Sequence, residues 1–305
     1  MKHFFKRIFR KEKGNVIVLV ALALGGMITL LGLVIDGGHL FMTKSHLQKT
    51  ANAAALSGAQ ELLNDKTAVR KVVDELLEAH GESGSLVEPF DPIDQVHVKL
   101  KRDVPLFFSS LFGVEYLPIA VEAKAGLNPM GETKGAVPLG IDESVDLQYG
   151  DIYQLKVDAG DSEAGNFGVL ALEGPGAKSY EESLTYGFEE TLKVGDVINT
   201  QTGNIAGATR KGIDYRIGEC PNPEGDIQKR DCPRIMKVIV YKLYEQATNQ
   251  MKSVQITGFA YFYVTERMGA NDDSIKGIFI RRAGDGTAGA AGTPDRGAYA
   301  IRLTE

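Results

Sequence analysis

No charged residue occurs from Gly14 to Ile35. At about 1.5 Å per residue that stretch gives roughly 33 Å of helix, enough to cross a bilayer core and too long and apolar for an ordinary buried helix. Histidine is absent after His97, and no Cys-x-x-Cys occurs, which excludes a zinc site of usual spacing at the only two cysteines, Cys220 and Cys232. Gly-x-Ser-x-Gly, His-Glu-x-x-His, Walker A and EF-hand patterns are missing as well. Gly284-Asp285-Gly286-Thr287-Ala288-Gly289 has the spacing of a dinucleotide loop, but Gly292 and Pro294 follow where a helix would have to open. Basic clusters are lacking beyond the first residues and net charge is −6, which argues against nucleic acid. These gaps leave no catalytic, cofactor-binding or metal-ligating residues to assign, and the chain is expected to be non-enzymatic.

What is present begins with Lys2, Lys6, Arg7, Arg10, Lys11 and Lys13, opposed only by Glu12, ahead of the apolar run. Positive flanks stay cytoplasmic, so the expected topology is a single-pass cell-membrane protein, its N-terminus cytoplasmic and everything beyond Asp36 extracytoplasmic. The alternative is a cleaved secretory signal. Signal cores are shorter, about 7–15 residues, and end at a small-x-small site. Here Asp36-Gly37-Gly38-His39-Leu40 follows, a poor match, and Ala51-Asn52-Ala53 lies too far along.

Within the span Ala21, Gly25, Thr29 and Gly32 share one helix face, the pattern of a close-packing seam between membrane helices; Gly and Ala are also simply common there. Helical periodicity resumes after Asp36-Gly37-Gly38, where Leu47, Ala51, Ala54 and Gly58 share a face in an Ala-rich segment and extend the seam. A second helix is expected over 66–80, ended by Gly81, then strands at 96–101 and 119–125 flanking an apolar turn at 105–113. Asn128-Pro129-Met130-Gly131 marks a boundary. Beyond it strands are expected at 136–141, 152–157, 167–172, 235–243, 253–266, 275–282 and 299–303, those at 235–243 and 253–266 central because both faces are apolar. Short helices are expected at 178–188 and 207–217. Leu147-Gln148-Tyr149-Gly150-Asp151-Ile152 is similar to Leu192-Lys193-Val194-Gly195-Asp196-Val197, and 284–295 reads as a mobile surface loop.

The fold class is therefore α+β. The domains are a basic segment 1–13, a transmembrane helix 14–35, a helical and strand unit 36–127, and a β-rich extracytoplasmic domain 128–305. Glycine, at 35 residues, suits that turn-rich part. Cys220 and Cys232 enclose a short loop holding Pro221, Pro223 and Gly225, which a disulfide could close; two free thiols are the alternative. His39 and His46 sit seven apart on a helix without a third ligand, so solvated positions explain them. Asp158, Asp161 and Glu163, and Asp272-Asp273, could hold calcium with carbonyl help, but solvated acidic turns explain them as well.

Lys13-Gly14-Asn15, Asp36-Gly37-Gly38 and Leu47-Gln48-Lys49-Thr50-Ala51-Asn52-Ala53-Ala54-Ala55-Leu56 together resemble the Tad-type (Flp) pilus-assembly proteins of the TadE/TadG-like N-terminal family. Thr50 and Asn52 stand where Ala and Asp are usual. The motif positions are Gly14, Asp36, Gly38, Leu47, Gln48, Ala53, Ala54 and Ala55. The resemblance implies an envelope component whose partners are membrane lipid and other pilus-assembly or pseudopilin-like subunits, with homo-oligomers open. Gly14 fits a pilin-type processing site, but Leu19 stands where the mature pilin carries Glu. A membrane-anchored binding module or adhesin is the alternative function, and a tethered hydrolase a third.

Overall fold

The computed structural model describes residues 15–156, 167–201, 205–222, 227, 231–247 and 250–304. The chain divides into two compact units. The first holds the N-terminal helix and the segment Lys66–Ala125; the second holds Gly126–Arg302 with Ala59–Asp65. Gly14 and the acidic group Asp158, Asp161 and Glu163 lie outside the described residues.

In the first unit, α1 (Asn15–Ala59) is a single helix of 45 residues, about 68 Å long. It does not break at Asp36-Gly37-Gly38. Two interior glycines cost about 1 kcal/mol each relative to Ala; contacts made on either side of them hold the helix through. A Cβ at Gly37 or Gly38 would meet nothing within 4 Å. Beyond the glycines one stripe is buried: Leu47, Thr50, Ala51, Ala54, Ala55 and Ala59. α2 (Lys66–Ala79) lays Val69, Val73 and Leu77 inward, and Gly81 at φ 71 turns the chain out of it. β1 (Gln95–Pro105) pairs with β2 (Tyr116–Thr133) across a 3-10 turn, Ser109–Phe112. Val96, Val98 and Leu100 of β1 and Val121, Ala123 and Ala125 of β2 are buried, the alternation of a strand with one face on a core.

Strand β2 runs through Asn128-Pro129-Met130-Gly131, the boundary expected from the sequence, and the two units divide within the same strand, between Ala125 and Gly126. A Cβ at Gly131 would fall 2.4 Å from the Gly289 Cα, so two backbones meet there, and the Gly289 N–H donates to the Pro129 carbonyl at 2.8 Å.

The second unit continues with β3 (Ala136–Asp142), β4 (Ile152–Lys156), β5 (Phe167–Ala171), α3 (Ala177–Tyr186), β6 (Leu192–Lys193), β7 (Val197–Thr200), α4 (Ala206–Gly218), β8 (Ile235–Ala247), β9 (Gln250–Val264), β10 (Ser274–Ile280), β11 (Arg282–Ala283), β12 (Thr287–Ala288) and β13 (Ala298–Leu303). Strand pairing runs β4-β10-β9-β7-β5-β3-β8, and β8 also pairs with β9. The path from β9 through β7, β5, β3 and β8 therefore closes on itself, which removes the open edges of those strands. All of its ladders are antiparallel except β3 with β8.

The two long strands, β8 and β9, are buried on both faces. Met236, Val238 and Val240 with Ala260, Phe262 and Val264 join one core beside α3 and α4; Ile239 and Tyr241 with Phe259, Tyr261 and Tyr263 join another. Gly140 and Gly168 make room for Tyr241, since a Cβ at Gly140 would lie 2.6 Å from its ring and one at Gly168 2.9 Å from its hydroxyl. The two similar hexapeptides form the same turn. Asp151 N–H donates to Gln148 and Asp196 N–H to Lys193, with Gly150 at φ 93 and Gly195 at φ 102, and a strand follows each.

The 284–295 segment, expected to be a mobile loop, instead carries β12, which pairs with Glu132 and Met130 of β2. Its glycines permit close approach; a Cβ at Gly286 would sit 2.6 Å from the Glu132 carbonyl oxygen.

Candidate functional site

From Val16 to Ile35, α1 is apolar nearly all round and bare except at Gly32. Val16, Ile17, Leu22, Leu24, Met27, Ile28, Leu30, Leu33 and Val34 are all exposed. A helix that is hydrophobic on nearly every side finds its place in a protein core or in lipid, and within this stretch only Gly32 is buried. It is long and apolar enough to cross a membrane.

Asp36 closes this stretch. It is 3% exposed. Its carboxylate accepts the backbone N–H groups of Phe107 (2.9 Å), Phe108 (3.1 Å) and Ser109 (2.7 Å), and the Ser109 hydroxyl at 2.7 Å. These donors open the Ser109–Phe112 turn, where the first N–H groups of a helical segment have no internal partners. Burial pulls the Asp36 pKa up, but the Ser109 hydroxyl and the N–H groups of Ser109, Phe107 and Phe108 outweigh it and hold the acid at about 2. One turn earlier, Gly32 lies under the Phe108 ring, with 2.6 Å from a would-be Cβ to Phe108 Cγ.

Further along α1, Gln48 donates to the Glu122 carbonyl at 2.8 Å and to the Asn52 side chain at 3.0 Å, while Leu47, Ala54 and Ala55 are sealed in. Ala53 is half-buried and Gly38 is open. A buried carboxylate, Glu82, adds a second tie: Ser85 donates to it at 2.5 Å, Arg102 of β1 at 2.8 Å, and His46 of α1 stands 3.6 Å away. His46 also faces His80, ring centroids 6.2 Å apart, and His39 faces Phe107 at 5.6 Å, so each has protein neighbours.

The small-residue seam divides in two. Ala21, Gly25 and Thr29 are exposed, and a Cβ at Gly25 would meet nothing within 4 Å. Gly32, Ala51, Ala54 and Gly58 are occupied within the chain. A Cβ on Gly58 would strike Val73 at 2.9 Å and Val96 at 3.1 Å. The expectation that Gly32 and these outer positions receive a partner helix is corrected: Phe108 takes Gly32, and α2 and β1 take Gly58. Small residues allow close approach without naming what approaches.

One family model matches along this helix. Residues 14–61 match the model of the Tad family, described as "Putative Flp pilus-assembly TadE/G-like". The matched segment is almost the extent of α1 (Asn15–Ala59) and includes Asp36, Leu47 and Gln48. The TadE/G-like match supports a role related to pilus assembly and association with other pilus-assembly components. No curated protein and no solved structure matches the chain.

In the second unit Cys220 and Cys232 form a disulfide, their Cα atoms 4.8 Å apart. Among the described residues no cluster of three or more His, Cys, Asp or Glu side chains could hold a metal. Asp272 accepts the Gly269 N–H at 2.6 Å, an ordinary turn contact. Two exposed tyrosines, Tyr186 of α3 and Tyr215 of α4, meet edge to face at 5.4 Å. The sequence reading missed the seat at Asp36. The signal available was an uncharged Phe107-Phe108-Ser109-Ser110 turn with no acid from Val104 to Val114 to cap it.

Proposed function

We propose that this chain is a non-enzymatic, single-pass membrane component of a Flp/Tad-type pilus-assembly or related envelope apparatus. The carrying observation is that α1 is one helix, bare and apolar from Val16 to Leu31 and built into a folded unit from Gly32 and Asp36 onward, with the TadE/G-like match laid along it. Such a helix is an anchor that positions its unit rigidly at the membrane surface. The Lys/Arg cluster before Gly14 supports a cytoplasmic N-terminus with both units outside. The Cys220–Cys232 bridge agrees with an oxidising compartment. Protease added to intact spheroplasts digests the chain beyond Asp36 and spares the basic segment; a protected second unit would contradict the topology.

Association with sister subunits runs through the exposed part of the seam. Gly25→Leu leaves the fold intact, because the added side chain has open space, and weakens association in membrane crosslinking. Gly32→Leu instead displaces Phe108 and loosens the first unit, which a lowered melting temperature reports. Equal association of Gly25→Leu and the wild type would remove the seam from the account.

The exposed Tyr186–Tyr215 pair favours a second reading, an anchored module in which the outer unit binds a glycan or another surface. Loss of surface binding on Tyr186→Ala with assembly unchanged would support it over the first.

A further inference from the structure

We propose that the turn between β1 and β2 is a second membrane contact, an apolar wedge seated in the bilayer interface beside the anchor helix. The inference rests on the membrane-anchored reading above. Val104 to Val114 contains no charged residue and is flanked by Asp103 and Glu115. Leu111 is 79% exposed and Phe112 72%, and Phe107, Tyr116 and Leu117 are exposed around them. An exposed apolar group of this kind marks a surface that something covers.

The position of the turn names the cover. Phe108 packs on Gly32, four residues before Asp36, so the turn reaches back along α1 by about 6 Å, into the stretch whose own side chains are bare and apolar. The wedge is thus continuous with the anchor's lipid-facing surface. Its backbone is prepared for a medium without water. Three N–H groups go to Asp36, and those of Leu111, Gly113 and Val114 go to the carbonyls of Phe108, Ser110 and Ser109. The Ser110 hydroxyl donates to the Phe107 carbonyl at 2.6 Å. Irregular backbone enters the edge of a bilayer only when its polar groups are satisfied within the protein. Tyr116, an amphipathic ring at the base of the turn, suits the headgroup level. Asp36 is therefore the pin that holds the wedge at a fixed depth.

The test uses the full chain, its disulfide intact, in phosphatidylcholine vesicles with or without bromine on the acyl chains. An environment-sensitive fluorophore is placed singly at Leu24→Cys in the span, Leu111→Cys in the turn, or Glu75→Cys on the exposed face of α2. The label at 111 is expected to be quenched several-fold more by brominated lipid than the label at 75, and to resist aqueous iodide as the label at 24 does. Iodide quenching at 111 equal to that at 75, with the label at 24 still quenched by lipid, overturns the wedge and leaves the anchor standing. A label at 24 untouched by lipid overturns the anchor, and the wedge with it. A label at 111 shielded from both quenchers but self-quenched between chains assigns the patch to a second copy and also overturns the proposal.

Discussion

Asp36→Ala lowers the melting temperature of the first unit by several degrees and speeds hydrogen exchange at Phe107, Phe108 and Ser109 on the order of tenfold or more. The substitution strips the shared acceptor from three backbone N–H groups and one hydroxyl and leaves the turn that faces Gly32 without its anchor. Asp36→Asn, which keeps the shape and one acceptor oxygen but loses the charge, falls between. The effect depends on pH in a direction that follows from the acid itself. Its folded pKa of about 2 lies below the ordinary 3.8, so ionised Asp36 stabilises the fold. That contribution is complete above pH 3.8 and is lost as the pH falls through about 2. The stability gap between wild type and Asp36→Asn therefore closes on acidification, a comparison that thermal unfolding in detergent at stepped pH checks. A gap that widened toward acid would place the stabilising interaction elsewhere.

Removing the bridge is the second large effect. The double variant Cys220→Ala with Cys232→Ala loses a cross-link spanning 12 residues of sequence, worth about 3 kcal/mol by the chain-entropy relation. For a unit of this size, each kcal/mol moves the melting temperature by about 2–4 °C, so a fall of roughly 6–12 °C is expected. The unit still folds, since β8 and β9 supply two buried faces independent of the loop. Calorimetry of the variant measures it; an unchanged melting temperature would mean that the bridge constrains little.

The long elements were legible because their patterns are local. Strands β8 and β9 show apolar residues on both faces, and α2 shows Val69, Val73 and Leu77 at helical spacing, which periodicity alone reports. The shared Gly-Asp turns of 147–152 and 192–197 were visible for the same reason, since a glycine at positive φ leaves a compositional trace. What was hidden depends on distant partners. Asp36 reads as the residue that ends an apolar run, yet its acceptors are used by residues more than seventy positions away. Gly32 and Gly58 read as a seam, and nothing in their spacing says that Phe108, Val73 and Val96 fill it. Glycines 284–289 read as a loose loop, while the structure uses them to bring two backbones together against β2. In each case composition reported that space was needed, and only the fold reported for what.

The central claim is that the bare face of α1 joins its unit to other pilus-assembly subunits within the membrane. A photo-crosslinking residue at Gly25, where a side chain meets open space, tests it most directly in the native membrane. The account predicts discrete crosslinks to other envelope-assembly subunits or to a second copy, lost when Ala21 or Thr29 on the same face is enlarged to Leu. Crosslinks to lipid alone, unchanged by those substitutions, would contradict it.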